Sequence, residues 1–293
     1  MIFQKVKETV MNNWAIYRLY RASRLDVLYN YYYEHRVHSL VKFSKLKIPD
    51  GKVVEHNGIK LRINPTSVQD LQFITFNGKN IIYEPETGEF LRQYVKDGSV
   101  FVDAGANNGY FSLLVARLLK GTGKVYSFEP VATTYKRLLQ NIELNGFSNI
   151  EPYNFALGSY RHDAFINVSD TNDGFNSLVE IRGSRTRIAV DVIPLDEIVG
   201  NNRVDIIKMD VEGYEREVIK GATNVIRSNE NIKVIFEHNP ALSRHGNEDE
   251  FNLLKRLGFK IYSMDISKGN LIFKEISNID KIGGGNFLAV RKL

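Results

Sequence analysis

The spacing of apolar positions changes twice along the chain, and each change predicts a different kind of structure. From residue 1 to 45, Phe3, Val6, Val10, Trp14, Tyr17, Tyr20, Leu28 and Tyr32 recur mostly at three- and four-residue steps, with Lys and Arg between them. Such a period lays apolar groups along one face, so the segment predicts one or two amphipathic helices. Between 52 and 64 the rule changes: Asn57-Gly58 separates Val53-Val54 from Ile59, Leu61 and Ile63, the signature of a hairpin with a two-residue turn. Asn77-Gly78 signals a second turn. Phe90, Leu91, Tyr94 and Val95 then predict a short helix over 86–95, stopped by Asp97-Gly98.

After residue 99, short apolar runs alternate with helical patterns. Strands are predicted at 100–103, 124–128, 150–155, 204–209, 232–236, 259–263 and 286–291. Helices are predicted at 108–120, from Pro130 to about Gly146, at 212–227 and at 247–257. Strand-helix alternation of this kind implies a mostly parallel sheet with helices on its faces. The rhythm breaks at 163–193, where Ala164–Val168 and Ile188–Val192 alternate apolar and polar residues around a Gly- and Ser-containing middle, the pattern of a β-hairpin insertion. Three parts follow: an aromatic, basic helical extension (1–50), hairpins and a helix leading into the fold (51–98), and an α/β domain (99–293).

Composition removes several alternatives. The 293 residues are 43% hydrophobic and 25% charged, enough to bury a sizeable core. No run of about 18 apolar residues and no continuous apolar signal-peptide core occur, so a cytoplasmic protein is expected. With no cysteine, disulfides, thiolate metal sites and a cysteine nucleophile are excluded. The net charge of +5 is concentrated in residues 1–50, which hold 9 Lys and Arg against 4 Asp and Glu, and the remainder balances. A nucleic-acid binder more often spreads basic residues over a working face, so no nucleic acid is expected as partner. Basic residues beside aromatics suit residues 1–45 to a membrane surface or a docking partner, and the amphipathic pattern also suits packing on their own domain or on a second subunit.

The candidate chemistry begins at Val102-Asp103-Ala104-Gly105-Ala106-Asn107-Asn108-Gly109, which joins a strand to a helix through glycines behind a carboxylate. Glycine at a strand exit lets backbone approach a small molecule, and a helix start offers N–H groups. Glu129, after the next strand, is placed to chelate a ribose diol. Asn107 stands where a dinucleotide fingerprint has its second glycine, so pyrophosphate would approach poorly. This is a nucleoside-cofactor site in outline.

Four separated segments carry a resemblance to the FkbM family of class I S-adenosylmethionine-dependent methyltransferases. They are Val102 to Phe111, Phe128-Glu129-Pro130, Ala156-Leu157-Gly158, and Pro194-Leu195-Asp196-Glu197 together with Ile207-Lys208-Met209-Asp210-Val211-Glu212-Gly213-Tyr214-Glu215. They span about residues 80–293 in order. The resemblance implies a Rossmann-like sheet of seven strands, mostly parallel with the final strand antiparallel, and S-adenosylmethionine as cofactor. It also implies that Asp103 orients the amino-acid end, directly or through loop amides, that Gly105, Ala106, Asn107, Asn108, Gly109 and Pro130 shape the cleft, and that Glu129 binds the ribose. Ala156 and Leu157 would lie against the adenine, with Asn154 at its edge, and the acceptor would be a hydroxyl on a sugar, glycolipid or secondary metabolite.

A hydroxyl acceptor must also lose a proton, to a side chain of suitable pKa or with the help of a metal. In open α/β folds such groups collect at the carboxyl ends of the strands. Here those ends carry Asp210 and Glu212 after the fourth strand and Glu237 and His238 after the fifth, candidates for catalysis. Asp210, Glu237 and His238 are also candidate ligands for Mg²⁺ or another divalent cation. Glu212 is equally suited to favour a helix dipole, His238 to bond a neighbour, and Lys208 to pair one of these acids. His35 and His38 lack acidic companions. A nucleic-acid or protein methyltransferase, a metal-dependent glycosyltransferase using Asp210 and Glu212, and a non-catalytic nucleoside-cofactor binder are the alternatives. The absence of Asp/Asn-Pro-Pro-aromatic after the fourth strand counts against amino methylation of adenine, and the absence of cysteine against C5 methylation of cytosine.

Overall fold

The computed structural model of the protein describes residues 49, 51–64, 67, 70, 73, 83–168, 176–179, 186–240, 242, 249–267, 269–277 and 283–292. The predicted amphipathic helices of 1–45, the turn at Asn77-Gly78 and most of the tip of the 163–193 insertion lie outside these residues. Among the described residues no helix is long and apolar enough to cross a membrane.

The predicted hairpin forms as β1 (Lys52–His56) and β2 (Ile59–Ile63), antiparallel with His56 opposite Ile59. Its turn residues Asn57 and Gly58 both have positive φ, as that tight turn requires. Helix α1 (Pro85–Tyr94) follows, with proline in its first turn.

The main sheet is built from β3 (Val100–Ala104), β4 (Lys124–Phe128), β5 (Ile150–Tyr153), β9 (Ile206–Met209), β10 (Lys233–His238), β11 (Lys260–Ser267), β12 (Asn270–Glu275) and β13 (Gly285–Val290). Between them, β6 (Ala156–Leu157), β7 (His162–Val168) and β8 (Thr186–Ile193) form a separate three-stranded sheet, which is the predicted hairpin insertion joined by β6. The main sheet runs β12-β11-β13-β10-β9-β3-β4-β5. Strands β5, β4, β3, β9 and β10 are mutually parallel, and β13 lies antiparallel between β10 and β11. This is the expected Rossmann-like sheet with its final strand reversed. It has eight strands rather than seven because the chain turns at Gly269 and β12 pairs back on β11, where Leu271 and Phe273 pack against the core.

Helices α2 (Tyr110–Leu119) and α3 (Ala132–Asn145) follow β3 and β4, and α4 (Leu195–Val199) follows β8. The single helix predicted over 212–227 is two, α5 (Glu215–Gly221) and α6 (Thr223–Ser228), and it starts later. Glu212 and Gly213 both have positive φ, which holds 210–214 out of the helix. A final helix, α7 (Glu250–Arg256), precedes β11.

Strand alternation divides the interior into two cores. Phe101, Ile206, Ile235 and Leu288 face one side with α1, α2 and the β1–β2 hairpin, so the hairpin and α1 share a core with the main sheet. Val102, Ile207, Met209, Phe236 and Phe287 face the other, with α5, α6 and α7. Strand order reverses direction between β3 and β9, and ligands in open α/β sheets bind outside the carboxyl ends of the strands at such a switch point.

Candidate active site

At the switch point, the backbone leaves β3 through Gly105, whose φ is +79°. A Cβ added there would stand 1.9 Å from the carbonyl oxygen of Asp210, so this approach between two strand exits requires glycine. The N–H groups of Gly105 and Ala106 both donate to the carbonyl of Phe128, at 3.0 and 2.9 Å. The N–H of Gly109 donates to the carbonyl of Ala106, and that of Tyr110 to the side-chain oxygen of Asn108. The helix start was expected to offer free donors, but these ones are used within the protein. A phosphate cradle needs donors pointing outward, so this turn has a different use.

Glu129 is 5% exposed, at the exit of β4. One carboxylate oxygen accepts from the N–H of Asn107 at 3.0 Å, the other from the N–H of Val131 at 2.9 Å. Asn107, with φ of 50°, adopts the left-handed conformation that aims its N–H at this carboxylate. The amide of Asn154 donates to the carbonyls of Glu129 and Pro130, fastening the loop that carries the acid. Ala156 and Leu157 are buried beside that loop. Asn108 is buried with both ends of its amide engaged inside the protein. Asp103 is buried behind the turn and accepts from the Ser112 hydroxyl at 2.6 Å, which in turn accepts from Ser127. Its other oxygen, Oδ1, is buried with no hydrogen-bond partner among the described residues. Burial raises its proton affinity above the ordinary carboxylate value, against the pull of Lys208.

A different arrangement occupies the exits of β9 and β10. Lys208 shares the parity of Asp103, its register partner on β3, and both face the α1–α2 side. Its ammonium is 2% exposed, bonds Asp210 at 3.1 Å and stands 4.9 Å from the centre of the Phe111 ring. Burial opposes its charge, but Asp210, Glu84 and Asp103 more than offset that and hold it firmly protonated. Asp210, Glu212 and Glu237 each bring a carboxylate oxygen within 4.8 Å of the others. Burial, then the charges of Glu212 and Asp210, push the Glu237 carboxyl well above the usual range. The three oxygens are a donor set suited to a hard divalent cation. Among them stands one ammonium, that of Lys208, bonded to Asp210 at 3.1 Å.

His238 is not part of this group. It follows Glu237 directly, so strand alternation turns it to the opposite face, where Phe251 and Phe287 pack against its ring and Nδ1 lies 2.5 Å from Glu250. That excludes it from the candidate metal ligands and corrects its expected place as a base. Glu212 is likewise not at a helix start: Glu215 opens α5, and its carboxylate accepts from the N–H of Val211 at 3.1 Å.

Sequence reasoning missed Glu84. It precedes α1 with φ of 37°, accepts from the Asn286 amide at 2.8 Å, and is drawn to Lys208 from the far side of the site. Burial raises its carboxyl, Lys208 opposes, and the balance lies at about 7. Asn286 is the register partner of Glu237 on β13. The available signal was Lys208 itself, a lone cation inside an apolar strand, which calls for more than one counter-charge.

The model of the methyltransferase FkbM domain matches residues 103–261, from the acid behind the glycine turn to the start of β11. The chain belongs to this family. It is similar to the hexuronic acid methyltransferase AglP of Haloferax volcanii, 27% identical over 179 residues, covering 60% of this chain and 70% of that protein. It is also similar to methyltransferase 1 of Beauveria bassiana, 28% identical over 149 residues, covering 43% of this chain and 59% of the fungal one. A crystal structure of methyltransferase FkbM from Methylobacillus flagellatus aligns at 17% identity with a TM-score of 0.42, over 69% of this chain and 50% of that one. The match to the family domain carries the assignment. Glu84 and Asn286 lie outside the matched segment and meet above it.

Proposed function

We propose that the chain is an S-adenosylmethionine-dependent O-methyltransferase whose acceptor is a hydroxyl of a sugar, glycolipid or secondary metabolite. The observation that carries this is the buried Glu129 carboxylate, braced by two backbone N–H groups beside a turn whose amides point inward. With both oxygens oriented, its remaining lone pairs suit the two hydroxyls of a ribose. The inward amides suit a nucleoside cofactor without phosphates. S-adenosylmethionine, when bound, supplies a methyl group from a sulfonium.

The chain's own residues then have two tasks. Gly105 and the turn bring backbone close to the ligand, and the carboxylates after β9 and β10 face the acceptor. Asp210 is partly open, its side chain 20% exposed, and Lys208 keeps it in place. It would take the proton of the acceptor hydroxyl, with S-adenosylmethionine, held by Glu129 and the glycine turn, supplying the methyl group. Glu237, its proton affinity raised by burial and its acidic neighbours, shares a hydrogen bond with Asp210. The similarity to a hexuronic acid methyltransferase supports a sugar-like acceptor.

Calorimetric titration with S-adenosylhomocysteine and with NAD, and transfer of labelled methyl to neutral and acidic glycosides, glycolipids and phenols, test the reading. The expected result is binding of the nucleoside thioether and not of NAD. Methyl transfer is expected to fall by roughly 100-fold or more in Asp210→Asn, with binding retained. Tight NAD binding without the thioether, or full transfer by Asp210→Asn, overturns it.

A further inference from the structure

Asp70 lies outside the family-matched segment and is completely buried. One carboxylate oxygen accepts from the side-chain amide of Asn108 at 2.6 Å. The other accepts from the backbone N–H of Asn64 at 2.8 Å and faces the Arg137 guanidinium at 3.4 Å. Its own N–H donates to the Ser67 hydroxyl. A buried carboxylate so fully engaged is a fixed point.

What it fixes is the middle of the glycine turn. The same Asn108 side chain accepts from the N–H of Tyr110 in the first turn of α2, and its carbonyl accepts from the Asn141 amide at 2.8 Å. Asn141 in turn accepts from the N–H of Arg62 on β2. Two ties therefore run from residues 51–98 to Asn108, one at its side chain and one at its carbonyl. The neighbouring Asn107 holds the left-handed conformation, which costs a non-glycine residue on the order of 1 kcal/mol and persists only where the surroundings impose it. Its N–H is the one that braces Glu129.

We propose that Asp70 is a positioning residue for the nucleoside cofactor: by anchoring Asn108 it holds Asn107 in the conformation that orients Glu129, without touching the ligand. The inference rests on the reading of Glu129 as the ribose ligand. It makes residues 51–98 a working part of the cofactor site.

The test is S-adenosylhomocysteine affinity by calorimetry, well below the melting temperature, for the full chain carrying Asp70→Ala, Asp70→Asn, Asn108→Ala, Asp70→Ala with Asn108→Ala, and Glu129→Ala. Asp70→Ala and Asn108→Ala are each expected to weaken binding by about 10-fold, with the double variant no weaker than either, as for two residues acting through one network. Asp70→Asn, whose oxygen still accepts from Asn108, is expected to recover part of the loss. Loss of binding in Glu129→Ala with wild-type affinity in both Asp70 variants overturns this inference alone. Additive losses in the double variant do the same. No binding by the wild-type chain overturns the cofactor reading and this inference with it.

Discussion

Around Glu129 a buried carboxylate is held by backbone N–H groups, which most substitutions leave in place. Around Lys208 the carboxylates are held by one another and by a single ammonium. The first arrangement draws its carboxylate and both N–H braces from nearby in the chain, with Asp70 tied to the turn from outside. It needs a glycine turn and an acid at the next strand exit, and both come from one β-α-β unit. The second draws Glu84 from ahead of α1, Asp103 from β3, Asp210 from the exit of β9 and Glu237 from β10, and it sets one lysine against them. An enzyme that binds one constant cofactor and variable acceptors has reason to keep the first kind of construction and vary the second.

The comparison is broken most severely by removing the lysine. Lys208→Met keeps the length of the side chain and leaves Asp210, Glu84 and Asp103 without their shared counter-ion. Removing one partner of a buried ionic group costs about 3–5 kcal/mol. Urea unfolding at pH 8 and pH 5.5 measures this, and the deficit is expected to shrink at the lower pH as the carboxyls take up protons. An equal deficit at both values, or none, would show that these acids do not depend on Lys208.

Glu129→Gln probes the other half. One oxygen becomes an amide NH₂ that must face a backbone N–H of Asn107 or Val131, and the charge that would hold the ribose is lost. Hydrogen bonds to a charged group contribute about 1.5–3 kcal/mol, so S-adenosylhomocysteine affinity is expected to fall by roughly 10–150-fold. Stability is expected to change less than in Lys208→Met. Unchanged affinity would remove Glu129 from the cofactor site.

The same contrast explains what could be read in the sequence. The glycine turn, Glu129, the hairpin at Asn57-Gly58 and the strand order behind them are legible because each depends on residues near one another in the chain. Glu84 and Asn286 are not, because they sit about 200 positions apart and meet at 2.8 Å only after the sheet is assembled. His238 shows a different failure. Glu237 and His238 were read as one candidate cluster, although neighbours on a strand point to opposite faces, so period two already admitted only one of them. The late start of α5 had no comparable signal, since the positive φ of Glu212 is imposed from outside: Gly213 lies against Leu242, and the Ser177 hydroxyl donates to the Glu212 carbonyl at 2.6 Å. The extra strand β12 was missed because its inward residues, Leu271 and Phe273, are few and its outward ones ordinary.

The smallest effect separates burial from charge at the edge of the acidic half. Glu215 opens α5, where a helix dipole favours a carboxylate, yet burial foremost, with the charges of Glu250 and Asp210 behind it, raises its carboxyl to about 8. A group that holds its proton more tightly folded than unfolded stabilises the fold fully below its unfolded value near 4.5, and loses that contribution as pH rises through about 8. Stability should therefore fall with pH across this window, by at most about 1.4 kcal/mol per pH unit from this one residue. Glu215→Gln keeps an oxygen for the N–H of Val211 and cannot titrate, so its unfolding free energy should fall less steeply between pH 5.5 and 7.5 than that of the wild type. Some slope will remain from Glu84, raised to about 7, and from Glu237. Parallel slopes in urea unfolding at pH 5.5, 6.5 and 7.5 would mean that Glu215 is already ionised in the folded chain, and that the helix dipole outweighs burial at this position.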